Sequence, residues 1–241
     1  MEFNQLVQSS YSKEEVTILL QDVQGKVPVL DTKEREKLNQ SGVHYSEMLP
    51  VEYAPSDEYL KLYKETLASQ GNETAQAVVN LASKILKEKS LDNIVLVSLA
   101  RAGTPVGILL KRYFDKYADT NHQHDIPHYT ISIIRGKGFD KAAINYILEN
   151  HLASSIVFVD GWVGKGAINR VLAEAVAELG VEGLSPELAV LSDPASETKL
   201  YGTRNDFLIP SACLNSTVSG LISRTVHLPT MSDEEFHGAV Y

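Results

Sequence analysis

Four short apolar or β-branched runs, separated by stretches with helical patterning, constrain the fold of this chain more than any other feature. The runs are residues 94–97, 129–134, 156–159 and 188–191. Continuous buried strands alternating with helices are typical of a parallel sheet that helices cover on both faces. We therefore predict an α/β fold, a doubly wound parallel sheet over residues 76–192. Segments 1–75 and 193–241 are predicted to add a cap or hood of helices and loops to this single domain.

The charge and cysteine content exclude several classes of protein. The net charge is −9 and there is no block of basic residues, which excludes duplex nucleic acid as the main ligand because phosphate binding needs a basic surface. Cys213 is the single cysteine, so no disulfide forms within the chain. Residues 1–10 lack the pattern of a signal peptide, and no apolar stretch has the length of a membrane span. We expect a cytoplasmic protein that does not bind membranes, and a homodimer is left open.

Helical patterning also occurs before the predicted sheet. Ser12 and Glu15 have the spacing of a capping box, and apolar residues at helical spacing follow up to Gly25, which predicts a helix over 12–24. Two further helices are predicted over 57–69 and 74–87. His122, His124 and Asp125 form a polar cluster between a helix and a strand, which we interpret as a solvated connection and not as a metal site.

Three loops follow predicted strands, at the edge where parallel sheets bind ligands. They cover residues 98–104, 135–140 and 160–167, and all are rich in glycine or in cationic residues. The third loop opens a helix, whose free N–H groups and positive dipole end favour an anion. Asp160 is placed to accept hydrogen bonds from sugar hydroxyls, and Lys165 adds a positive charge. The alternative is a tight turn with Trp162 packed on the core.

An apolar strand, an acidic residue and a glycine-containing loop opening a helix resemble the ribose-phosphate motif of type I phosphoribosyltransferases. The resemblance implies that Asp160 holds the ribose, and that a Mg²⁺ ion accompanies the phosphorylated ligand. The implied phosphate cradle consists of Gly161, Val163, Gly164, Lys165, Gly166 and Ala167. Gly161 stands where the family has a second acidic residue.

The other two loops take roles from the same resemblance. Ala100, Arg101, Ala102 and Gly103 would form the segment that binds pyrophosphate. Arg135 and Lys137 would act with Asp160 in catalysis, from a mobile loop that closes over the ligand. Contacts to the acceptor base would come from Trp162, Asp193, Arg204 and Asp206.

A narrower resemblance covers nearly the whole chain. Residues 42–50, 160–162, 164–166 and the hydroxyl-rich region 193–226 are similar to a bacterial group of phosphoribosyltransferase-like proteins linked with tellurite resistance and stress. This group carries a cysteine-protease StiP label, and its members are usually longer.

Three functions follow as hypotheses. The first is transfer of ribose phosphate from PRPP, or a related ribose phosphate or nucleotide, to a nucleobase-like acceptor. The second is a non-catalytic sensor of such a ligand, which Gly161 favours. The third is a cysteine protease with Cys213 as nucleophile, His227, His237 or His44 as base and Asp206 as the residue orienting that base. A lone cysteine between Ala212 and Leu214 is also typical of a small buried apolar side chain.

Overall fold

The chain folds around parallel β-structure, as a computed structural model shows for residues 6–51, 53–118, 125–210 and 222–240. The strands among these residues are β1 (Thr17–Ile18), β2 (Gln21–Asp22), β3 (Val29–Leu30), β4 (Leu49–Pro50), β5 (Val95–Ala100), β6 (His128–Ile134), β7 (Gly138–Phe139), β8 (Ile156–Trp162), β9 (Leu188–Ser192), β10 (Tyr201–Thr203), β11 (Arg224–Val226) and β12 (Gly238–Val240). The α-helices are α1 (Thr32–Gln40), α2 (Asp57–Glu88), α3 (Gly103–Tyr113), α4 (Lys141–Asn150) and α5 (Ala167–Leu179).

The central sheet has the strand order β1-β6-β5-β8-β9-β10, with all neighbours parallel. The short strand β7 pairs antiparallel to β6 and forms a hairpin with it. The prediction of an α/β fold with a mostly parallel sheet is confirmed, and the phosphoribosyltransferase type of this fold stays a prediction. The sheet reaches beyond residues 76–192, because β1 and β10 come from the flanking segments. The division into core and hood stays a prediction.

Alternate side chains of each central strand enter separate cores on the two faces of the sheet, as the two-residue period of a strand requires. Val97 and Leu99 of β5 pack in the core that contains Ile144 of α4 and Leu172 of α5. Leu96, which directly precedes Val97, packs on the opposite face, in the core formed with α2 and α3. The helices therefore cover both faces, which is why the central strands are apolar throughout.

Helix α3 approaches the sheet closely at Gly107. A Cβ atom there would lie 2.2 Å from Ser98 Oγ and 2.3 Å from His128 Nε2. His128 is buried, its Nδ1 lies 2.8 Å from the carbonyl oxygen of Glu15, and its Nε2 lies 2.7 Å from Ser98 Oγ. Because the carbonyl can only accept, Nδ1 carries the proton and Nε2 accepts from the Ser98 hydroxyl.

A second, smaller sheet has the order β11-β12-β2. Strand β12 runs antiparallel to β11 and parallel to β2, with Gly238 opposite Gln21. It therefore connects residues near position 20 with residues near position 240. A two-stranded parallel sheet of β3 and β4 lies outside both larger sheets.

The helix predicted over residues 12–24 is wrong, since this segment contains β1 and β2. Val16, Ile18 and Leu20 alternate into one apolar cluster, whereas Leu19 enters the main core on the other side. The two helices predicted over 57–69 and 74–87 are one continuous helix, α2. Within the described ranges, no helix is both long enough and apolar enough to cross a membrane, and the cytoplasmic location stays a prediction.

Candidate active site

Asp160 lies near the carboxyl end of β8, as the sequence predicts. Its Oδ1 accepts a hydrogen bond from the backbone N–H of Gly161 at 2.7 Å. Burial raises the pKa of Asp160 to about 7, although the Gly161 N–H opposes the shift. A large fraction of this carboxyl group is therefore protonated at neutral pH, and it then donates as well as accepts a hydrogen bond.

The N-terminus of α5, the expected phosphate cradle, already faces a carboxylate of the protein. Gly166 has a left-handed φ of 67°, and a Cβ atom there would lie 2.5 Å from Glu197 Oε2. Arg170 Nη1 donates to the carbonyl oxygen of Lys165 at 3.0 Å. The positive end of the helix dipole thus stabilises Glu197 in the place where the sequence predicts a phosphate group.

Trp162 and Asp206, both predicted acceptor contacts, lie together. The indole is 47% exposed, and its Nε1 donates to Asp206 Oδ1 at 3.2 Å. A Cβ atom at Gly164 would lie 2.2 Å from the indole ring. The glycine therefore provides space for Trp162, which is a structural reason for its presence.

Arg101 holds β11 in place. One of its guanidinium nitrogens donates to the carbonyl oxygen of Ser223, directly before β11, and the peptide bond between Ala100 and Arg101 is cis. A Cβ atom at Gly103 would lie 2.2 Å from the carbonyl oxygen of Val159. Residues 101–103 thus contact the central sheet and the segment before β11. These structural contacts account for Arg101 and Gly103 without a role in binding pyrophosphate.

Asp193 and Arg204 form an ion pair, and the Asp193 side chain is fully buried. The Asp193 carboxylate also accepts the backbone N–H groups of Glu197 and Thr198 at 3.0 and 2.8 Å. Burial alone would raise the pKa of Asp193, but these hydrogen bonds and the charge of Arg204 lower it below its ordinary value. The guanidinium also lies 3.5 Å from the ring centroid of Tyr201. The pair thus organises the turn after β9.

Arg135 and Lys137 occupy the turn between β6 and β7, which the segment 44–47 covers. The Arg135 N–H donates to the Tyr45 hydroxyl at 2.9 Å, and Lys137 Nζ lies 3.0 Å from Glu47 Oε1. The predicted mobile loop is therefore a hairpin turn with several anchoring contacts.

Lys137 lies beside a cluster of three histidines, and these are the three that the sequence proposed as bases. Its Nζ lies 3.5 Å from His227 Nδ1 and 3.2 Å from the His227 carbonyl oxygen. The rings of His227 and His237 are in contact, and His44 Nε2 lies 3.0 Å from the carbonyl oxygen of Arg135 in the same turn.

The three imidazoles differ in what they can do. Both nitrogens of His44 are engaged, since Nδ1 also accepts from the Ser46 N–H at 3.3 Å. Burial lowers the pKa of His237 to about 3, with the charges of His227 and Lys137 adding to the shift. Burial and then the charge of Lys137 also lower the pKa of His227. His227 and His237 are therefore neutral at neutral pH, and His227 is the more exposed of the two.

Asp140 connects this cluster to α4, and the sequence interpretation gave it no role. Its Oδ1 caps α4 by accepting the Ala143 N–H at 3.0 Å, and its Oδ2 accepts the His237 backbone N–H. Burial raises the pKa of Asp140 to about 6, against the effect of these hydrogen bonds. Its signal in the sequence was its position at the start of a helical pattern, after the turn 135–138.

The predicted protease residues are thus only partly brought together. His44, His227 and His237 meet, whereas Asp206 is bound to Trp162. Cys213, like His122 and His124, lies outside the described residues. In the ranges that the structure covers, no group of three or more His, Cys, Asp and Glu side chains is arranged to hold a metal ion. The expected Mg²⁺ stays a prediction.

Comparison with known proteins identifies a family. The profile described as "Tellurite-like stress resistance cysteine protease StiP" matches residues 9–241. A curated protein of Acinetobacter baylyi (strain ATCC 33305 / BD413 / ADP1), named "Cysteine protease StiP", is 42% identical over 219 residues. The alignment covers 90% of this chain and 55% of that protein, so the chain spans about half the length of this relative.

These names correct the first functional hypothesis. Both describe a cysteine protease, so the interpretation as a phosphoribosyltransferase acting on PRPP is wrong. The geometry gives a physical reason: Glu197 lies at the helix N-terminus expected to bind phosphate, and Arg101 is engaged by Ser223. The prediction of a link with tellurite-like stress resistance agrees with the family description.

Proposed function

Because this chain belongs to the StiP family of tellurite-like stress resistance cysteine proteases, we propose that it hydrolyses peptide bonds, with Cys213 as nucleophile and His227 as general base. The observation that carries the proposal is the pair of neutral imidazoles, His227 and His237, beside a pocket at the end of the β6–β7 hairpin. The family supplies the reaction class, and the histidine pair supplies a base in the protonation state that it requires.

Cys213 is the nucleophile in this proposal because it is the only thiol of the chain. The thiolate is the reactive form of cysteine, and an ordinary thiol is mostly protonated at neutral pH. It therefore needs a neighbouring base to accept its proton.

His227 fits the role of base better than the other two histidines. It is partly exposed, and its lowered pKa leaves the imidazole unprotonated at neutral pH. Its contact with Lys137, at 3.5 Å, is at the outer limit of a hydrogen bond, so an approaching thiol can replace it. His44 is held through both nitrogens, and His237 is buried.

The proposed reaction has two steps. His227 takes the thiol proton as Sγ attacks the peptide carbonyl carbon. A C–S bond forms, the C–N bond breaks, and the proton passes from His227 to the leaving amine. A water molecule then attacks the thioester, His227 takes its proton, the C–S bond breaks, and the proton returns to Sγ.

The test is hydrolysis of unfolded casein and of a quenched fluorescent peptide library by the full chain. We expect Cys213→Ala and alkylation of Cys213 to abolish cleavage, and His227→Ala to lower kcat by roughly 10²–10⁴-fold. His151→Ala is the matched control, because His151 is also partly buried but contacts Tyr129. Full cleavage by the Cys213→Ala variant would refute the proposal.

A further inference from the structure

The pocket beside the histidine pair has a volume of about 220 Å³. At about 30 Å³ per water molecule, this is room for roughly seven waters or for one long side chain. Its wall includes Lys137 and Lys141, the acidic residues Asp140, Asp233 and Glu235, and the histidine pair. These residues come from the β6–β7 hairpin, the start of α4 and the segment between β11 and β12.

The positive charges on the wall are already paired with carboxylates from outside the pocket. Lys137 Nζ lies 3.0 Å from Glu47 Oε1, and Lys141 Nζ lies 2.7 Å from Glu178 Oε1. Neither glutamate is part of the wall. Each lysine is thus paired with a carboxylate outside the wall, while the charge of Lys137 still acts on His227 and His237.

The acidic residues on the wall, in contrast, have no close ionic partner among the described residues. In the part of the chain that the structure describes, Asp140, Asp233 and Glu235 form no ion pair within 4.0 Å. Asp140 accepts only backbone N–H groups, and Glu235 accepts from Ser232. The wall thus carries three carboxyl groups, and each of its two lysines is paired with a glutamate outside it.

A buried hydrogen-bonding atom on the same wall also lacks a partner. His237 is 7% exposed, and its Nδ1 has no hydrogen-bond partner among the described residues. A buried imidazole nitrogen without a hydrogen-bond partner is unfavourable. A ligand with several N–H groups would satisfy this nitrogen as well as the carboxyl groups.

We propose that this pocket binds the basic side chain of an arginine or lysine residue in the peptide substrate. The proposal rests on the proposed function, and it makes the chain a protease selective for basic residues near the cleaved bond. A guanidinium group matches the wall best, since its five N–H donors form a planar fork suited to carboxylates and it accepts no hydrogen bonds. His227 forms part of the same wall, so a basic side chain bound here lies next to the proposed base.

Ligand binding provides a test that does not depend on hydrolysis. The full chain carrying Cys213→Ala is titrated calorimetrically with Nα-acetylarginine amide and with the citrulline analogue, which has the same shape but no charge. We expect the arginine compound to bind at least about tenfold more tightly, as a charged hydrogen bond implies. Equal binding of the two compounds would overturn the proposal.

Two neighbouring acidic residues provide matched variants. Asp233 lies on the wall and Glu234 does not, although both are exposed. We expect Asp233→Asn to reduce the preference for arginine over citrulline by about threefold or more, and Glu234→Gln to leave it unchanged. An unchanged preference in Asp233→Asn, or an equal loss in both, counts against the pocket.

Cleavage of paired peptides separates this proposal from the one on which it rests. Peptides that differ only by arginine or citrulline are offered to the protein with Cys213 intact. Hydrolysis of both at equal kcat/KM supports the peptidase and overturns the basic pocket. A binding preference for arginine without any hydrolysis supports the pocket and overturns the peptidase.

Discussion

The imidazole rings of His227 and His237 lie with their centroids 4.6 Å apart and their planes tilted by 56°. Protonation of either ring would bring a positive charge against the other and close to Lys137. The neutral state of the pair therefore depends on this crowding as well as on burial. Its dependence on Lys137 can be measured.

Replacing Lys137 by methionine should raise the pKa of His227, because the second-largest cause of its lowered value is removed while burial remains. The measurement is the titration of the His227 Cε1 proton by NMR, together with the acidic limb of kcat/KM. Both should move to higher pH. Lys141→Met is the control, because Lys141 lies on the same pocket but pairs with Glu178. An unmoved NMR titration in Lys137→Met would contradict the electrostatic explanation.

His128 should destabilise the fold as the pH falls. Burial lowers the pKa of His128 to about 4 from an ordinary value of 6.5. Below pH 6.5 the unfolded chain binds a proton that the folded chain excludes, so stability is lost between pH 6.5 and 4. The difference corresponds to about 3 kcal/mol.

Urea unfolding at pH 7 and pH 4.5 tests this acid effect. The free energy of unfolding should fall less between these values in His128→Gln than in the wild type, whatever the variant's absolute stability. Burial raises the pKa of Asp140, and this shift makes the folded state more stable as the pH falls, which is the opposite of the effect of His128. The contribution of Asp140 is the same in both proteins. An equal fall in the two proteins would exclude His128 as the group responsible.

Gly107→Ala should destabilise the protein by about 1–3 kcal/mol, because the added Cβ would overlap with Ser98 and His128. Gly71→Ala is the matched change, since Gly71 lies in α2 and a Cβ there meets nothing within 4 Å. It should stabilise the helix by about 0.5–1 kcal/mol. Denaturant unfolding measures both, and a stable Gly107→Ala variant would show that α3 can move away from the sheet.

Arg204→Gln should destabilise the fold by about 3 kcal/mol, because it leaves the buried Asp193 carboxylate without its cation. Arg112→Gln removes an ion pair with Glu15 whose arginine side chain is 60% exposed. We expect a loss of about 1 kcal/mol or less there, as is usual at a protein surface. Equal losses in thermal unfolding would mean that burial of Asp193 does not matter.

The central strands were predictable because helices cover both faces of the sheet, which makes the strands continuously apolar. The pattern failed at residues 16–20, where Ile18 and Leu20 enter one cluster and Leu19 another. An apolar segment buried on both sides has no unique period, so a helical spacing also fitted it. The sequence also predicted two helices separated between residues 69 and 74, where the structure has one. Gly71 lies in this interval, and a glycine only weakens a helix and does not end it.

The candidate site was predictable only as separate residues. The sequence named His44, His227 and His237, but no spacing indicates that positions so far apart meet beside one hairpin turn. The glycine loop at 161–166 has a more distinctive local pattern than the histidines, and this pattern predicted a phosphate site. Its glycines instead provide space for Trp162 and Glu197, and neither contact can be inferred from the loop itself.

The parallel pairing of β2 with β12 has a consequence for biosynthesis. Gln21 and Gly238 are neighbours in the small sheet, but at about 5–20 residues per second the ribosome adds them roughly 10–40 s apart. A nascent chain therefore holds β2 without its partner until translation has passed residue 240. His237 directly precedes β12, so the histidine pair forms only after this late strand has been synthesised and has docked.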